Sequence, residues 1–157
     1  GCMLEDGQGV EKNEREAARW YRSAAEQGDA EAQYNLALKF ENGQGVEKND
    51  KEAVRWYRIA AEQGNVDAQF DLGAMFEDGQ GVEKNDKEAV RCYRLAAEQG
   101  DASAQFNLGS LLEDGQGLEK NEREAARWYR LAAQQGDAEA QYTLALKFEN
   151  GQGVEKN

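Results

Sequence analysis

The sequence predicts an all-α protein, a right-handed α-solenoid of 36-residue helix-turn-helix repeats, and three observations carry that prediction. The segment GQGVEKN begins at Gly7, Gly43 and Gly79, returns as GQGLEKN at Gly115, and recurs at Gly151, a period of 36 residues. A second marker, Gln-Gly, ends at Gly28, Gly64, Gly100 and Gly136 with the same spacing and divides each unit in two. In both halves the apolar residues recur at helical rather than strand spacing. Units of this size bury their apolar faces on their neighbours, so no sheet is required.

The elements follow in chain order. Gly1 aligns with Ala37 and Gly73, so residues 1–6 read as the stub of a first helix. A turn is expected at Gly7, and Asn13 with Glu16 three residues on has the pattern of a capping box that starts a second helix. The first complete unit opens at Asp29, an N-cap residue type, with Glu31 in the first turn where the helix dipole favours an acid. Its first helix spans residues 29–42, buries Ala32, Leu36 and Phe40 with Ala37 beside them, and stops at Gly43. Val46, the lone apolar residue of the long loop, is expected to plug the space beneath it, as are Val10, Val82, Leu118 and Val154. Asn49 and Glu52 cap the second helix, residues 50–63, which buries Ala53, Tyr57, Ala60 and Ala61 and ends at Gly64. Glu52 can pair with Arg55 on its flank.

Full repeats therefore occupy 29–64, 65–100 and 101–136, with partial units at 1–28 and 137–157, in a single domain over 1–157. Residues 1–49 and 109–157 agree at 43 of 49 positions, so a 108-residue super-repeat overlies the shorter one. The chain reads as a piece cut from a longer array. Of its 17 glycines, 14 fall in loop slots; Gly1, Gly73 and Gly109 share one helical slot with Ala37 and Ala145, kept small so that the helices of a unit approach closely.

Composition narrows the chemistry. The formal charge of −12 argues against nucleic acid and anionic membranes as partners. There is no His, which removes histidine-dependent catalysis, and no apolar run approaches the roughly 20 residues of a membrane span. Cys2 and Cys92 make neither a disulfide framework nor a zinc site. Gly43-Gln44-Gly45 lacks the preceding strand and third glycine of a dinucleotide loop. Glu77-Asp78 and Glu113-Asp114 lack the alternating ligands of a calcium loop. No two carboxylates stand out as a glycosidase pair. The expectation is a non-enzymatic protein with no cofactor and no metal.

The units resemble Sel1-like repeats, relatives of the tetratricopeptide repeat. The resemblance rests on Ala32, Leu36, Phe40, Gly43-Gln44-Gly45-Val46, Ala53, Trp56-Tyr57 and Ala60-Ala61-Glu62-Gln63-Gly64, and it covers essentially the whole chain. Cys92 departs from it, standing in the slot of Trp20, Trp56 and Trp128. It reads as a packing substitution, and the Trp column as the edge of the core. The resemblance implies a scaffold or adaptor that holds partner proteins, with the unburied face of the first helices lining a concave groove.

That face carries Tyr34, Asn35 and Leu38, then Phe70, Asp71 and Asp78, then Phe106, Asn107 and Asp114, then Tyr142: an aromatic ladder in acidic surroundings. With Asp67, Glu77 and Glu113 the two central units present six acids there, and none of these columns holds Lys or Arg. A basic protein or peptide is the expected ligand, through cation-π contacts and charge steering. The competing expectation is a structural spacer or engineered consensus scaffold without a natural ligand. Leu144, Phe148 and Val154 at one end, and Met3, Leu4 and Ala17 at the other, are expected to leave uncapped faces that associate head to tail.

Overall fold

The computed structural model describes residues 2–151, and among them every regular element is an α-helix. The elements are α1 (Cys2–Glu26), α2 (Ala30–Asn42), α3 (Asp50–Glu62), α4 (Val66–Asp78), α5 (Asp86–Glu98), α6 (Ala102–Asp114), α7 (Glu122–Gln134) and α8 (Ala138–Asn150). Each helix packs chiefly on its neighbours in the chain, the arrangement of an α-solenoid built from helix-turn-helix repeats.

Local chemistry sets the helix ends. Asp29, Asn65, Asp101 and Asp137 accept from the backbone N–H three residues on at 2.7–2.8 Å, and Asn49, Asn85 and Asn121 do the same at 3.0–3.2 Å. At the end of α3 the Gly64 N–H reaches the Ala61 carbonyl and the Asn65 N–H the Ala60 carbonyl, a Schellman closure made possible by Gly64 at φ +90°. The long loop is tied by the Asn49 N–H donating to the Phe40 carbonyl at 2.8 Å, repeated by Asn85 to Phe76 and Asn121 to Leu112. Val46, Val82 and Leu118 are half-buried against the core, as their position predicts; Val154 lies outside the described residues, as does the side chain of Val10.

The core is the predicted stripe. Ala32, Leu36, Ala37, Phe40, Ala53, Tyr57, Ala60 and Ala61 are all buried, with their counterparts in the next two units except Ala133, which is half-buried. The small helical slot has the predicted purpose: a Cβ on Gly73 would stand 2.9 Å from the Tyr93 ring, and one on Gly109 would stand 2.8 Å from that of Tyr129. Glu52 and Arg55 pair at 3.6 Å. Three glutamines that the sequence pattern does not single out lie in the core, each paired with an exposed glutamine of a Gln-Gly marker. Gln33, Gln69 and Gln105 are buried; each donates to the Ala25, Ala61 or Ala97 carbonyl at 3.1 Å and accepts from Gln63, Gln99 or Gln135 at 2.6–2.9 Å. Each such pair ties a repeat to the helix before it and satisfies a polar group that would otherwise be buried at a cost.

One expected turn is absent. The segment from Gly7 to Asn13 is helical, so the stub and the first second-helix form the single element α1, and Asn13 is not a cap. In the later loops Gly45, Gly81 and Gly117 rest on the backbone of residues 14, 50 and 86, a tertiary contact that holds the turn. The seven letters alone do not hold it, and across Gly7 to Asn13 helix propagation prevails.

Candidate functional site

The predicted face lies on α2, α4, α6 and α8. Tyr34, Phe70 and Phe106 are half-buried, and each ring meets a tyrosine of the following helix: Tyr34 on Tyr57 at 5.8 Å between centroids, Phe70 on Tyr93 at 5.6 Å, Phe106 on Tyr129 at 5.4 Å. Tilted pairs at this distance contribute about 0.5–1.5 kcal/mol beyond their burial. The ladder is thus also the joint between the two helices of a unit. Tyr142 makes no such pair among the described residues and is 68% exposed. Together with Phe106, Ala138, Glu139 and Thr143 it lines an open cleft of about 410 Å³. Leu38 packs half-buried beside the ladder.

The tyrosines beneath sort the acids. The Tyr57 hydroxyl donates to Glu41 at 2.5 Å, Tyr93 to Glu77 at 2.8 Å and Tyr129 to Glu113 at 3.0 Å. Burial, reinforced by the bonded carboxylate, pushes all three phenols well above their ordinary value, so they remain donors. Glu77 and Glu113, counted from helical phase as free groove acids, are therefore partly buried acceptors. Glu113 is engaged twice, because the buried Lys147 Nζ reaches it at 2.6 Å and also stands 5.7 Å from the Tyr129 ring centroid. Burial pushes the Glu113 carboxyl up, but the bonds from Lys147 and Tyr129 outweigh it and hold it below the usual range. Lys147 falls outside the groove columns, and the sequence reading missed it. Its signal was a lysine in a column where the central units carry Met75 and Leu111.

Asp71 behaves otherwise. Its half-buried carboxyl is pushed up to about 6, first by burial and then by the carboxylates of Glu41, Asp67 and Asp101, while the Tyr34 hydroxyl facing it pulls the other way. The equivalent positions hold Asn35, whose amide donates to the Glu31 carbonyl of its own helix at 2.8 Å, and Asn107, which faces the Tyr93 hydroxyl. Asp78 and Asp114 are exposed at the last residues of α4 and α6. The structure thus joins Tyr34, Asp71 and Asp67 into one acidic, aromatic neighbourhood spanning two repeats, and it leaves Asp78 and Asp114 as solvated charges. Among the described residues no group of three or more His, Cys, Asp or Glu side chains is placed to hold a metal ion, and no helix is long and apolar enough to cross a membrane.

Helix pairs of 36 residues, closed by a glycine loop and stacked through a small-residue core, define a helical-repeat solenoid. The model of the Sel1 repeat matches residues 1–29, 30–65, 66–101, 102–137 and 138–157, and the chain belongs to the Sel1 repeat family. Among solved structures it is similar to a Sel1 repeat protein of Oxalobacter formigenes, with 44% identity, a TM-score of 0.89, and coverage of 98% of this chain and 63% of that one. A protective antigen of uropathogenic Escherichia coli strains with the same repeat fold is 41% identical at a TM-score of 0.85, covering 88% of this chain and 30% of that one. The chain thus spans less than two thirds of either protein. Cysteine-rich protein B of Helicobacter pylori, 24% identical with a TM-score of 0.69 over 86% of this chain and 97% of that one, shares the fold. Among curated proteins the sequence has no significant match.

Proposed function

We propose that this chain is a non-enzymatic interaction scaffold that binds a basic peptide or protein segment along the exposed face of its first helices. Sel1 repeat proteins are in general protein-interaction scaffolds, and the family fold is generally non-catalytic. The observation that carries the finer reading is Asp71. A carboxyl raised to about 6 among Glu41, Asp67 and Asp101 marks a local excess of negative charge, beside the half-buried rings of Tyr34 and Phe70. A Lys or Arg side chain placed there relieves the repulsion and meets aromatic faces.

The test is titration of the chain with a Lys/Arg-rich peptide and with a Glu/Asp-rich one, monitored by calorimetry. The basic peptide is expected to bind, and to bind several-fold more weakly as salt rises from 50 to 300 mM, because steering is screened beyond about 8 Å at physiological ionic strength. Binding is also expected to tighten between pH 5 and pH 7, as the cation draws Asp71 into its ionised form. Asp71→Asn and Phe70→Ala should each weaken it. Salt-indifferent binding of the acidic peptide defeats the reading. Failure of both peptides favours the alternative, a structural spacer, for which the stacking of the ladder on Tyr57, Tyr93 and Tyr129 is the supporting observation.

A further inference from the structure

One slot on the second helices lacks the side chain that fills it elsewhere. Trp20, Trp56 and Trp128 share a position that Cys92 takes in α5. Trp20, on the first described helix, is 69% exposed, whereas Trp56, with α1 packed before its own unit, is 8% exposed and Trp128 is partly buried. The indole of this column is therefore covered by the repeat before it. At Cys92 the covering walls are present and the indole is not. What remains is a cleft of about 290 Å³ lined by Arg58, Ala61, Leu72, Phe76 and Leu95, with Cys92 itself buried at its base. Three of its four rim charges are engaged: the Arg58 guanidinium stands 5.5 Å from the Phe76 ring centroid, and Arg91 pairs with Glu88 at 3.3 Å. The fourth, Glu62, is exposed to solvent, and the apolar part of the lining suits a neutral ligand. An apolar cavity on the order of 150 Å³ accepts benzene, and this larger cleft has room for two fused rings.

We infer that the cleft above Cys92 is a binding site for a neutral indole-type small molecule, its rings lying where Trp56 and Trp128 place theirs in their own units. Glu88 lines this cleft at the position of Glu124, which accepts from Trp128 Nε1 at 3.4 Å, and of Glu52, to which the buried Trp56 Nε1 donates no bond; paired with Arg91 as Glu52 is with Arg55, Glu88 keeps further lone pairs with which to accept from a ring N–H. Burial first, and then Glu88, push the Cys92 thiol up to about 11, so the base of the cleft is a neutral sulfhydryl rather than a thiolate. The site lies on α3, α4 and α5 away from the first-helix ladder columns, and it stands or falls independently of peptide binding.

Titration of the whole chain with 5-fluoroindole, followed by fluorine NMR, tests it. The expected result is one tight saturable site in the parent chain, retained in Cys92→Ala; the related surface at Leu144 and Phe148, open on the side that α5 closes at Cys92, should contribute at most weak, non-saturating binding. Affinity should be at least tenfold weaker in Cys92→Trp, whose melting temperature should rise because its own indole fills the slot. Undiminished binding by a Cys92→Trp chain of unchanged helical content overturns the proposal, as does the absence of saturable binding in the parent up to the ligand's solubility. Alkylation of Cys92 by N-ethylmaleimide supplies a readout that needs no folded variant. Saturating indole should slow it at least fivefold, and an unchanged rate contradicts occupancy of the cleft.

Discussion

Asp71 is a charge that the fold tolerates at a cost. Its carboxyl releases its proton at a pH of about 6 in the native chain, against the ordinary 3.8. Between these values the folded state binds the proton more tightly than the unfolded one, so stability falls as pH rises through the window and stays lower above it. A rise of this size corresponds to about 3 kcal/mol, which solvent screening at this half-buried site reduces to about 1 kcal/mol. Asp71→Asn, which restores the side chain of Asn35 and Asn107, should therefore stabilise the chain by about 1 kcal/mol at pH 7 and by nearly nothing at pH 4. Urea denaturation at both pH values checks this, and an equal gain at both contradicts the raised carboxyl. The site was only half legible in the sequence. Helical phase placed Tyr34, Phe70, Phe106 and Tyr142 in one column, but it could not separate Glu77 and Glu113, which accept from Tyr93 and Tyr129, from the free acids Asp78 and Asp114 beside them. That distinction depends on which carboxylate a tyrosine of the next helix reaches, a contact across 16 residues that recurs in each complete unit.

Helices and loops differ in how far they are set locally. The helix limits from α2 onward fall within a residue or so of those read from capping residues and apolar spacing, because Asp29, Asn49 and their counterparts act on the backbone three residues away. The glycine loop is different, for the same seven letters close a turn at Gly43 and continue a helix at Gly7. Its conformation is set by what Gly45, Gly81 and Gly117 touch. Gly81→Ala should separate this effect from backbone strain: at φ +67° the new Cβ would meet the Asp50 carbonyl oxygen at 2.4 Å, and backbone cannot move aside cheaply. Gly64→Ala, at φ +90° with nothing within 4 Å, is subject to the strain alone. The expected losses are about 1–2 kcal/mol for Gly64→Ala and clearly more than about 2 kcal/mol for Gly81→Ala. Thermal denaturation of the two variants side by side measures the difference, and equal losses would mean that the loop contact carries no weight.

Among the described residues, the outermost helices are more open than their counterparts in the middle. Phe148 is 39% exposed where Phe40, Phe76 and Leu112 are buried, and Leu144 is more open than Leu36 or Leu108. The lining of the Cys92 cleft, carried forward two units, places Arg130, Ala133, Leu144 and Phe148 where the indole of a following second helix would sit, and Trp20 of another copy is such an indole. Head-to-tail contact is open-ended, so the chain should associate weakly with concentration. Sedimentation should show this, with a blue shift of tryptophan emission that Trp20→Ser removes. A monomeric profile at millimolar concentration would contradict it. The interface between successive units has a further consequence for inheritance. Each boundary offers nearly the same surface, so a coding segment of 36 residues can be duplicated or lost in frame at a junction closely similar to existing ones, and one of 108 at a junction the protein already possesses. Such exchange alters length without testing a new fold. It also alters content, since a copied stretch of residues 65–100 brings another cysteine-floored slot and a copied 29–64 brings another filled one.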